Sequence, residues 1–87
     1  MIDPMTIESR WLVYPDGERQ ETPAALSIGS IVDMNGRILR LPVPDPRTIA
    51  YRVGKIRRIE ERGSLDVLYY LELIPVADLK RLGPEDL

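Results

Sequence analysis

Five basic side chains, Arg52, Lys55, Arg57, Arg58 and Arg62, crowd into residues 51–63, which read YRVGKIRRIEERG. Cations at this density can hold a phosphate- or carboxylate-bearing partner. Tyr51 lies in the same segment and Tyr69 and Tyr70 follow closely, so stacking rings stand near the charges. Small barrels bind single-stranded nucleic acid with that combination. The plainer reading is the wet face of a β-sheet, its arginines paired across strands with acids such as Glu60 and Glu61.

Other chemistry is scarce. The chain has no Cys and no His, which removes the thiol nucleophile, the commonest general base and the commonest metal ligand together. Ser9, Ser27, Ser30 and Ser64 have no histidine partner, and nothing in the spacing aims Lys55 or Lys80 at a serine. Glu72, between Leu71 and Leu73, is the carboxylate best placed for the burial that a general acid needs. An edge position or a pair with a neighbouring-strand arginine is the simpler account of it. Oxygen-only metal ligands are present, but no Asp-x-Asp-x-Asp pattern gathers them. SIGS (27–30) lacks the glycine-rich turn of a nucleotide loop. The expectation is no catalytic residue, no metal site and no cofactor.

Which side of a sheet the cations occupy depends on one glycine. In an uninterrupted strand Arg52, Gly54 and Arg58 share a face while Lys55 and Arg57 lie on the other. A bulge at Gly54 instead gathers Arg52, Lys55 and Arg57.

The elements that must carry these residues are mostly strands. Eight prolines and six glycines leave few windows for a helix. ESRWLVYP (8–15) reads as a strand closed by Pro15-Asp16-Gly17, and ERQETPAALS (18–27) as a polar connection or weak edge strand. Asn35-Gly36 inside SIVDMNGRILRL (30–41) signals a hairpin. PVPDPRT (42–48) reads as a loop, residues 49–61 as a long strand and RGSLD (62–66) as a loop. VLYYLELI (67–74) is apolar on nearly both faces, which suits a central strand. Val76, Leu79 and Leu82 recur every three residues, as in a short helical turn plugging a barrel end. The fold expected is mainly β: a small antiparallel SH3-like barrel of five or six strands with a short C-terminal helical turn. Residues 7–82 form its single domain, 1–6 a disordered or vector-derived leader and 83–87 a tail.

Length and charge set the remaining bounds. At 87 residues the chain is one domain with a small core, built from Leu, Ile and Val because Phe is absent. No apolar run approaches bilayer length and no signal-peptide pattern opens the chain, so the default compartment is the cytoplasm and no membrane partner is expected. Residues 37–62 carry eight basic and three acidic side chains, while the remainder carries four basic and eleven acidic. A basic middle between acidic ends suits self-association or an anionic ligand.

Two stretches resemble known families. YYLELIPVADLKRL (69–82) is similar to the last strand and closing turn of SH3-like barrels, among them the plasmid-borne type II dihydrofolate reductases, which share the Pro-Val-Ala followed by Leu79 and Arg81. Those enzymes are tetramers whose central pore is lined by Gln-Ile-Tyr directly before the proline. This chain has Glu72-Leu73-Ile74 there, so the resemblance implies the fold and an assembly but carries over no catalytic residue. Residues 39–61 resemble the middle of PilZ domains, which bind cyclic di-GMP. The ligand motifs of that family, Arg-x-x-x-Arg and Asp/Asn-x-Ser-x-x-Gly, are absent, which implies a non-binding relative.

The reading reached is a non-catalytic interaction or assembly module, binding a protein partner or itself through Arg52, Lys55, Arg57, Arg58, Arg62, Tyr51, Tyr69 and Tyr70. By fold analogy alone it would suit an accessory protein of a mobile element. A nucleic-acid or nucleotide-binding barrel using residues 51–62 ranks second, because the sequence pI of 5.1 is low for such a role. An oligomeric pore enzyme ranks third.

Overall fold

The structure is a computed structural model and describes residues 6–40 and 47–81. Five strands and one short helix follow in order: β1 (Ile7–Val13), β2 (Arg19–Glu21), β3 (Ile31–Asp33), β4 (Ala50–Glu61), β5 (Ser64–Leu73) and α1 (Val76–Arg81). They form one sheet in the order β2-β1-β5-β4-β3, curled into a half-barrel. The mainly-β expectation, its strand number and its terminal helix hold. The sheet is mixed, however: β1 runs parallel to β5, and the other pairings are antiparallel. The expected proline-rich loop falls largely outside the described residues.

The apolar run of β5 places it at the sheet centre, where both neighbours and both faces cover it. Its inner face contributes Leu65, Val67, Tyr69 and Leu71 to the main core, joined by Leu12, Tyr14, Val32 and Val53. The Tyr69 hydroxyl accepts a hydrogen bond from the Leu26 amide at 3.1 Å, tying the 22–28 segment across the concave side. Replacing Tyr69 with phenylalanine keeps the ring but leaves that amide without an acceptor, so a loss of about 1–2 kcal/mol is expected. Urea melts measure the loss; an unchanged midpoint would show that the segment is not held by this bond.

Turn chemistry sets the strand lengths. Gly63 adopts φ 81° and turns the chain within Arg62-Gly63, so β5 starts at Ser64 rather than after the expected loop of residues 62–66. In the β3 hairpin, the Gly36 amide donates to the Asp33 carbonyl, and the Asp33 carboxylate accepts from the Asn35 and Arg37 amides. This three-residue loop ends on a left-handed glycine, an arrangement common in hairpins. Across the open side of the half-barrel, Gln20 Nε2 donates to the Asn35 carbonyl at 2.8 Å, linking the two edge strands through a side chain. A smaller cluster of Ala50, Ile74 and Leu79 docks α1 at one end of the outer face.

Candidate functional site

The decisive local feature of β4 is a bulge. Val53 stands opposite Leu71 and Lys55 opposite Tyr70, so Gly54 is the extra residue. The Glu72 side chain lies directly over Gly54, and a Cβ there would collide with its carboxylate. Glycine is thus what lets Glu72 cross the strand and reach Arg52, Oε2 to Nε at 3.6 Å. Glu72 is exposed on the outer face as the partner of an arginine. The simpler account of Glu72, a pair with an arginine of the neighbouring strand, is the one observed, and the acid stays exposed because its strand neighbours Leu71 and Leu73 point to the other face.

The bulge resets the phase of the cations. Arg52, Lys55 and Arg57 line up on the outer face, opposite Glu72, Tyr70 and Leu68. Beyond β5 the same rows continue to Val13 and Trp11 of β1. Lys55 Nζ sits 5.8 Å from the Tyr70 ring centroid, within cation–π range. The face therefore has an apolar and aromatic centre of Trp11, Val13, Leu68 and Tyr70 with a cationic border. Leu68 is fully covered there, outside the main core, whereas Trp11, Val13 and Tyr70 remain half-exposed.

The other expected contact residues lie elsewhere. Tyr69 is 3% exposed and belongs to the inner core, because the side chain next to Tyr70 in a strand must face the opposite way. Arg58 stands opposite Val67 and Tyr51 opposite Leu73, both on the inner side. Arg62 occupies the β4–β5 turn. Among the five cations of the segment, Arg52 alone has a carboxylate within 4.0 Å among the described residues. The expected lacing of arginine–glutamate pairs reduces to that one pair.

A concavity that the sequence did not single out opens at the inner face where β4 begins. Tyr14 and Tyr51 meet edge to face, ring centroids 5.1 Å apart at 86°. They floor a cleft of about 530 Å³ bordered by Leu73, Met34, Asp16 and Glu18. The Tyr14 hydroxyl approaches the Gln20 Oε1 and the Asp33 carbonyl at 3.5 and 3.4 Å. Burial foremost, then the nearby charges of Asp33, Tyr51 and Glu18, push the Tyr14 phenol above the ordinary tyrosine range. An unfolded tyrosine ionises near pH 10, so above that pH the unfolded chain holds fewer protons than the folded one. This contribution to stability is complete below about pH 10 and is lost as pH rises through the folded value. Tyr14→Phe is expected to flatten the fall in stability as pH rises from about 9.5 to about 11.5 in urea melts. An equal fall in both proteins would contradict it.

Among the described residues no group of three or more Asp or Glu side chains could hold a metal ion. Nor is any described helix long and apolar enough to cross a membrane. A family model described as "Uncharacterised Treponema protein" matches residues 6–82. The chain belongs to this family. The match covers all five strands and α1, so the bulge, the outer face and the cleft all fall within it. No curated protein and no solved structure matches the chain.

Proposed function

We propose that the chain is a non-catalytic protein-interaction module that docks through the outer face of its sheet. The observation that carries this reading is the bulge at Gly54, which aligns Arg52, Lys55 and Arg57 beside Tyr70 and Trp11. Protein interfaces favour tryptophan, tyrosine and arginine around an apolar centre, with charge at the rim. Lys55 and Arg57 have no carboxylate partner among the described residues, which leaves them available to a partner's acids.

Self-association is the first form to test, since the acidic ends of the chain complement its basic middle and residues 69–82 resemble those of tetrameric reductases. Light scattering behind a sizing column should show a mass above the monomer at high concentration. The double variant Trp11→Ala/Arg57→Glu should return it to monomer. A monomer at every concentration would rule out assembly. Fluorescent oligonucleotides at low salt separate the alternative, since a nucleic-acid site on this face would raise their anisotropy and lose it steeply with added salt.

A further inference from the structure

The cleft over Tyr14 and Tyr51 lies on the opposite side of the sheet from the face just described, and its character is different. Met34 and Leu73 leave 59% and 55% of their surface in water beside it, more than large apolar side chains usually do. Two carboxylates, Asp16 and Glu18, stand at its rim. Arg19 also borders it, but stands opposite Val13 in the sheet and so belongs to the outer face. Two carboxylates against one guanidinium leave the rim net acidic, and after burial the charges of Asp33, Tyr51 and Glu18 also raise the Tyr14 phenol.

Those features select among ligand classes. An anion would meet Asp16 and Glu18. A small polar metabolite needs convergent polar groups to orient it. The charged and amide groups at this cleft, Asp16, Glu18, Arg19 and Gln20, are all exposed on its rim rather than enclosed within it. A cation on a flexible apolar stem fits better. Its charge is attracted to tyrosine ring faces and to carboxylates, while its methylene groups can cover exposed apolar side chains.

We propose that this cleft binds an extended basic peptide segment of a partner, seating an arginine or lysine side chain among Tyr14, Tyr51, Asp16 and Glu18. Met34 and Leu73 flank the stem of that side chain, and the segment lies across the mouth of the cleft between the β1–β2 turn, which carries Asp16 and Glu18, and Met34 of the β3 turn. The proposal is independent of the outer face.

The test titrates the full chain, ¹⁵N-labelled, with Ac-Ala-Arg-Ala-Arg-Ala-NH₂ at low salt, followed by amide chemical shifts. The glutamate counterpart serves as control. Saturable shifts of Glu18, Gln20, Met34 and Leu73 are expected with the arginine peptide alone. Asp16→Asn/Glu18→Gln keeps an oxygen at residue 16 for the Glu18 amide, which it now accepts at 2.9 Å, and removes both charges. It should weaken binding about fivefold, as expected for two partly exposed ion pairs. Lys55→Glu/Arg57→Glu, on the outer face, should leave these cleft shifts in place. Equal binding of the glutamate peptide, shifts centred on the outer face, or an affinity unchanged by the neutralised rim would each overturn the proposal. Absence of saturable shifts with the arginine peptide would do the same.

Discussion

Leu12→Ala is expected to cost about 3–5 kcal/mol, the largest loss among single truncations of this protein. Leu12 has no solvent exposure and sits between Tyr69 on β5 and Gln20 on β2 in the sheet. It also lies within 3.0 Å of where a Gly36 Cβ would be, so β1 and the β3 turn meet at its side chain. The cavity left by its removal has little room to collapse, because strands fix the backbone on both sides. A domain of this length has roughly 4–13 kcal/mol of stability in all. With an m-value of about 1–1.5 kcal/mol/M, the urea midpoint should fall by roughly 2–5 M. A fall below about 0.5 M would show that the main core is not centred there.

Leu79→Ala should show an effect of comparable size but different reach. Leu79 is 1% exposed and is the α1 residue that closes the small cluster over Ala50 and Ile74, flanked by Ile31 and Leu39. Truncation by about 2–3 kcal/mol undocks a single helix turn rather than opening the sheet. Amide exchange of Ile74 and Leu79, which donate to the Ala50 and Pro75 carbonyls, should accelerate roughly 30- to 150-fold. Exchange at Tyr69 and Leu71 should hardly change. Uniform acceleration across both would mean that α1 and the sheet form one cooperative unit.

Much of the architecture was legible in local chemistry. The two-sided apolar run of β5 marked a central strand, Asn35-Gly36 marked a hairpin, and Gly54 marked the place where the phase of β4 could change. Each of these is a property of neighbouring residues. The parallel pairing of β1 with β5 was not legible, since no short-range signal records which distant strand a segment joins. For the same reason Tyr69 could not be told from Tyr70: alternation separates the two, but only the register says which one is inside. The cleft has no local signature for a related reason. Tyr14 adjoins Pro15-Asp16-Gly17 and reads as the end of a strand, and only the curl of the sheet sets its ring against Tyr51.

The parallel pair also governs how the protein is made. Every residue of β1 is matched to one far along the chain, from Ile7 with Ser64 to Val13 with Tyr70, and the Ile7 amide bonds to the Gly63 carbonyl in the β4–β5 turn. β1 cannot seat until that turn and β5 exist, and the loop so closed spans most of the domain. Such distant pairings place folding toward the slow end for a small protein. During synthesis at about 5–20 residues per second, Trp11, Leu12 and Val13 leave the ribosome seconds before their partner strand does. Until β5 emerges, the short strand β2 is the partner that chain order offers to β1, and the apolar side chains of β1 stay without their core neighbours.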